Sequence, residues 1–241
     1  MLKKIIAISV ATLLGCYIIF TTIYISSSEK KTLCSNVNIT ISGEETSITP
    51  EKIHRLLKQK NLHPADKEFN NIDCSKIENA LNELSIIADC QCYKNHKESV
   101  NINIKCKRPI MQIFADNGEQ YLIDSNGDII EGVQSALYLP VASGNIVKSM
   151  AKEELLEIAL FLQETRFWSE QIEQIYFTAK KEIILVPRVG NHTIEMGNIK
   201  NLESKLNKLR AFYEKGLNNI GWNKYSKINI EFNNKIIGTK K

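Results

Sequence analysis

Apolar and polar positions follow three periods along this chain. From Ile5 to Ile25 no residue is charged, and only Lys3 and Lys4 carry charge before the run. A helix of that length, rising about 1.5 Å per residue, reaches roughly 31 Å, against about 30 Å for the hydrocarbon core of a bilayer. The run predicts a single-pass transmembrane helix over residues 5–25. The positive charges on its amino side predict a cytoplasmic segment 1–4 and an exported remainder. A cleaved signal peptide has a shorter apolar core that ends at small residues. Here Phe20, Ile23, Tyr24 and Ile25 keep the run bulky to its end, which favours an uncleaved anchor.

Beyond the anchor the period shortens to two. Val37, Ile39 and Ile41 alternate with Asn38, Thr40 and Ser42 up to Gly43, the pattern of a half-buried strand. Thr49-Pro50-Glu51-Lys52 then offers an N-cap, a proline at the first helical position and an early carboxylate, with Ile53, Leu56 and Leu57 at helical spacing. Asp73 caps a second helix whose face is Ile77, Ala80, Leu81 and Leu84. Ile86 to Tyr93 and Val100 to Cys106 read as two strands joined around Asn95-His96-Lys97-Glu98. The order is strand, helix, helix, strand, strand, with one sheet face buried under the helices.

A second region begins at Arg108-Pro109. Its first strands end at Asp116-Asn117-Gly118 and Asp124-Ser125-Asn126-Gly127, two Asn-Gly turns of hairpin type. Asp124, Asn126 and Asp128 resemble a calcium loop only loosely: the glycine falls one place early and no glutamate closes it, so a turn is expected. A heavily apolar helix follows from Lys152 to Arg166, then strands Ile172 to Phe177 and Glu182 to Val186 meeting at Ala179-Lys180-Lys181, and a third strand, His192 to Met196. Leu202, Leu206, Leu209 and Phe212 mark one more helix. A strand from Tyr225 to Phe232, a turn at Asn233-Asn234 and a last strand from Lys235 to Gly238 close the chain. The fold class is α+β, the second region being mainly antiparallel sheet with two helices.

Composition narrows the function by exclusion. Lys and Arg number 31 against 27 Asp and Glu, scattered without a stripe, so nucleic acid is not an expected partner. Of the six cysteines, Cys16 lies in the apolar run; Cys34, Cys74, Cys90, Cys92 and Cys106 lie outside it, an odd number for an oxidising compartment. Cys90 and Cys92 share one face of a strand. There is no Cys-x-x-Cys, and His54, His63, His96 and His192 stand apart, so neither metal nor cofactor is expected. No nucleophile elbow, phosphate loop or zinc-protease motif occurs. Arg166, Trp168 and Trp222 read as anchors of core or surface. The chain is expected to be a binding protein, not an enzyme, with no small-molecule substrate. Its terminal alternating segment, Ser226 to Phe232, is a candidate sheet edge that accepts a partner strand; the alternative is a strand paired on both sides.

These features, in this order, resemble the bacterial cell-division family FtsQ, called DivIB in Gram-positive bacteria. The first module, 34–107, resembles its POTRA domain (β-α-α-β-β). Arg108-Pro109 stands at the passage into its β-domain, 108–241. Tyr121 to Gly127 resembles the family's next hairpin, Leu139-Pro140-Val141-Ala142-Ser143-Gly144 its Leu-Pro-x-x-x-Gly turn, and Ile228 to Lys235 its closing strand and turn. Asn229, Glu231 and Lys235 depart from the usual Asp, Arg and Gly, while Phe232 keeps the aromatic. The resemblance implies a non-enzymatic divisome scaffold at the septum, in the inner (plasma) membrane with its domains periplasmic or extracytoplasmic. It would link early septal proteins to FtsB and FtsL, which control septal peptidoglycan synthesis. It also implies a partner-binding set on the closing strand and a neighbouring basic hairpin: Lys180, Lys181, Tyr225, Ile228, Asn229, Ile230, Glu231, Phe232 and Lys235. The alternative is a POTRA-containing export or outer-membrane assembly component, which would be expected to carry further POTRA repeats or a barrel.

Overall fold

The computed structural model describes residues 9, 12–22, 32–43, 48–65, 67–95, 97–132, 138–232 and 234–241. Residues 5–8, 10, 11 and 23–25 of the expected span Ile5 to Ile25 lie outside these residues, as do His96 and Asn233. Residues 12–22 are helical and expose Leu13, Leu14, Tyr17, Ile18, Ile19 and Phe20. No helix among the described residues is long and apolar enough to cross a membrane.

The first module contains β1 (Asn36–Ser42), α1 (Pro50–Gln59), α2 (Cys74–Asn82), β2 (Ile87–Lys94) and β3 (Ser99–Cys106). Both helices start where their caps demand. The Thr49 hydroxyl accepts from the Lys52 N–H, and the Asp73 carboxylate from the Lys76 N–H at 3.1 Å. The sheet order is β1-β3-β2, with β1 parallel and β2 antiparallel to β3. Ile53, Leu57, Ile77 and Leu81 from the helices meet Val100, Ile102 and Ile104 of the central strand, all at most 1% exposed. Burying each such side chain stabilises the module by about 1.5–3 kcal/mol relative to exposure.

The second module is a nine-stranded sheet in the order β12-β11-β10-β9-β8-β7-β4-β5-β6. Its strands are β4 (Pro109–Ala115), β5 (Gln120–Asp124), β6 (Ile129–Ile130), β7 (Val141–Gly144), β8 (Ile172–Phe177), β9 (Ile183–Pro187), β10 (Thr193–Gly197), β11 (Tyr225–Asn229) and β12 (Ile237–Lys240). Antiparallel pairs predominate, but β4 with β7, β7 with β8 and β10 with β11 are parallel, so the sheet is mixed. Parallel neighbours need a crossover, and between β10 and β11 it is supplied by α5 (Leu202–Phe212). That helix runs on through a π turn, Tyr213–Leu217.

Two sequence expectations change here. The apolar helix expected from Lys152 to Arg166 is α3 (Glu154–Glu164), and a second helix, α4 (Arg166–Gln171), follows at once because it seats Trp168, 1% exposed, in the core. The Leu139 to Gly144 segment is not a turn but contains β7, held between β4 and β8. Gly144 is required there: at φ +104°, an added Cβ would lie 2.2 Å from the Phe177 carbonyl oxygen. The Asp124 segment is a turn, its carboxylate accepting from the N–H groups of Asn126 and Asp128 at 2.8 and 2.9 Å.

The modules share a seam. Leu122 and Ile130 pack into the core of the first module while Ile123 packs into that of the second, because successive strand residues face opposite ways. Ser85 Oγ accepts from the Glu131 N–H at 2.9 Å and donates to its carbonyl at 3.0 Å, and Lys107 lies 3.5 Å from Asp128.

Candidate partner-binding edge

Of the two readings of the closing segment, the strand paired on both sides is the one found. Lys227, Ile228 and Asn229 of β11 pair with Thr193, Ile194 and Glu195 of β10 on one side and with Thr239, Gly238 and Ile237 of β12 on the other. Ile228 and Ile230 are fully buried and belong to the core. They are thus unavailable to a partner. Alternation identified the face of this strand correctly but carries no information about which main-chain groups are already paired.

The edge on this side of the sheet is β12. Its four residues pair only with β11, and all are exposed. Such a strand presents unpaired main-chain groups on its free side. Tyr225 underpins it: a Cβ on Gly238 would sit 2.6 Å from the Tyr225 ring, so the glycine is needed for the aromatic to lie against β12.

The other candidate residues divide between the two ends of the sheet. Lys180 and Lys181 form the β8–β9 turn, Lys181 with φ 60°. Because Ile183 pairs with Gly197, and Glu195 with Asn229 and Asn229 with Ile237, that turn lies at the same end as Glu231, Phe232 and Lys235. Tyr225 lies at the opposite end, opposite Lys240. Phe232 is 45% exposed, with the Lys235 ammonium 5.0 Å from its ring centre. Glu231 packs on Gly197, where a Cβ would come within 2.8 Å of its side chain.

Two residues of this end were missed by sequence reasoning. Lys205, 3% exposed, donates to the carbonyls of Met196 and Asn198 at 3.0 and 2.8 Å. Lys208 donates to the Ile230 carbonyl at 3.3 Å and to that of Phe232. Together they tie α5 to the ends of β10 and β11. Burial lowers the pKa of both ammonium groups, and Glu231 partly opposes this for Lys205. The only sequence signal was two lysines three apart beside an apolar helical seam, which ordinarily marks stems lying along a rim. On the sheet surface Lys227 pairs with Glu195 at 2.9 Å, Asn229 adds a contact at 3.3 Å, and the Glu195 carboxyl is held below the usual range chiefly by Lys227.

Chemistry elsewhere is sparse. His54 and His63 are not isolated, as their separation in sequence implied, but meet Nδ1 to Nε2 at 2.9 Å. Among the described residues no group of three or more His, Cys, Asp or Glu could hold a metal ion.

A small helix-covered module followed by a broad mixed sheet defines an α+β protein of POTRA-bearing type. Residues 32–105 match the POTRA-like domain, and residues 108–239 match the family described as FtsQ/DivIB, C-terminal related. The chain belongs to that FtsQ/DivIB family, and so to the scaffold proteins of cell division. No curated protein matches it.

Proposed function

We propose that the protein is a non-enzymatic divisome scaffold that captures FtsB and FtsL type partners by strand addition along β12. The observation that carries this is the edge itself: β12 is exposed, terminal in the sheet and free on one side. Strand addition draws affinity from main-chain hydrogen bonds and specificity from the side chains nearby. In this reading Phe232, Lys235, Lys180 and Lys181 supply specificity at one end. Tyr225, Asn229 and the buried Ile228 and Ile230 support the edge from beneath, and Glu231 gives that end a carboxylate for a basic partner group.

The chain is divided in this proposal into a cytoplasmic tip 1–4, a transmembrane anchor 5–25, the POTRA module 34–107 and the β-domain 108–241. The uncharged run and the exposed apolar side chains over 12–22 support the anchor. A single pass with the amino end inside would hold β12 near the membrane-proximal parts of its partners at the septum, raising their effective concentration.

Hydrogen–deuterium exchange on the full chain tests the site. Adding a purified FtsB–FtsL complex should protect the amides of residues 237–240, and Phe232→Asp should reduce capture while leaving the exchange pattern of the free protein intact. Protection confined to other strands would remove β12 from the function.

A further inference from the structure

The first module holds five cysteines, all present as thiols. Their arrangement is not uniform. Cys90 and Cys92 sit on the inner face of β2, 4% and 7% exposed, beneath α2. Cys74 is the first residue of α2, partly exposed, and packs against the same core. Glu78 lies one turn further along the same helical face, and its carboxylate accepts the main-chain N–H of Cys92 at 2.7 Å. That contact, with the Lys94 ammonium donating to the Asn70 carbonyl at 3.1 Å just before the helix, brackets the Cys74 end of α2 against Cys92. Cys34 instead donates its thiol to the Asn36 carbonyl at 3.3 Å, at the other end of the module's chain.

We propose that Cys74 and Cys92 are a disulfide-forming pair, a redox-sensitive clamp between α2 and β2. The oxidant is a disulfide, either of a small thiol or of an exchange protein. The more exposed Cys74 thiol gives up its proton and attacks one sulfur of the oxidant, releasing the first thiol and leaving a mixed disulfide. The Cys92 thiol then gives up its proton and attacks the Cys74 sulfur, releasing the second. Two thiols are oxidised to one disulfide and the oxidant is reduced to two thiols. Burial, followed by the Cys74 contact, raises the Cys92 pKa, so the second step is the slower one.

The clamp has a structural consequence. Strand β2 is an edge of its sheet, and the Cys92 N–H is taken by Glu78. A bridge one helical turn from Glu78 holds that carboxylate in place and keeps the β2 edge closed at this point. This inference depends on the thiol pair alone and stands apart from the identity of the β12 partner.

The test uses the full-length chain, purified reduced in detergent and incubated with oxidised glutathione, then acid-quenched, alkylated and mapped without reduction. The expected product joins the Cys74 and Cys92 peptides and leaves four of the six thiols to alkylate. The same bridge should form in Cys90→Ser. Its formation should raise the melting temperature of the chain by at least about 5 °C, a rise absent from Cys92→Ala. Six alkylated thiols, a glutathione adduct that persists at Cys74, or a bridge to Cys90 instead would each overturn the proposal.

Discussion

Lys205 is a charged residue that nothing in its sequence context sets apart from a surface lysine, and yet it is buried with its ammonium on the ends of two main-chain segments. Lys205→Met would keep the stem and remove the donor, leaving the Met196 and Asn198 carbonyls without it. The expected cost is about 1–3 kcal/mol, read as a lower urea midpoint. His192 makes a second prediction. It is buried, with Nε2 2.9 Å from the Tyr213 hydroxyl, and burial, then the Lys241 charge, lowers its pKa. An unfolded histidine titrates near about 6.5, so the unfolded state gains the proton first as pH falls. Stability should be full above that value and decline as pH drops toward the folded pKa. Urea midpoints between neutral and mildly acid pH should show this slope, and His192→Gln should flatten it. Residue roles of this kind were illegible in the sequence because burial and partners come from distant segments. Caps were legible, since Thr49 and Asp73 act on N–H groups three residues away.

Elements were read well where a single period governs them. The strand–helix–helix–strand–strand order of the first module and the strands on either side of Lys180 follow from alternation and caps. Leu139 to Gly144 is expected to be a turn from its resemblance to the family's Leu-Pro-x-x-x-Gly motif, but pairing on both sides makes Val141–Gly144 a central strand. Gly144→Ala should therefore destabilise the protein by more than about 1 kcal/mol, since neither its φ nor the neighbouring Phe177 carbonyl tolerates a Cβ. Thermal unfolding measures this, and an unchanged midpoint would show that the β7–β8 contact yields. For the closing strand, alternation left an edge and a strand paired on both sides open, and the second holds. Its alternation placed Ile228 and Ile230 inward, and only the pairing with β12 moved the edge onward to Ile237–Lys240.

At the scale of the molecule the two modules are coupled through β5 and β6. Leu122, 2% exposed, belongs to the first core although it lies in the second module's sheet. Leu122→Ala should cost about 2–5 kcal/mol and weaken the coupling, so that calorimetry resolves two transitions in place of one. The sequence by itself determined the uncharged run, the two-module order, the capped helix starts at Thr49 and Asp73 and the inward face of the alternating strands, because these depend on residues within a turn or two of one another. Tertiary structure alone decided which strand lies at the sheet edge, which lysines are buried and where the modules join. Each of those is a pairing between segments far apart in the chain, and local periodicity carries no record of the partner.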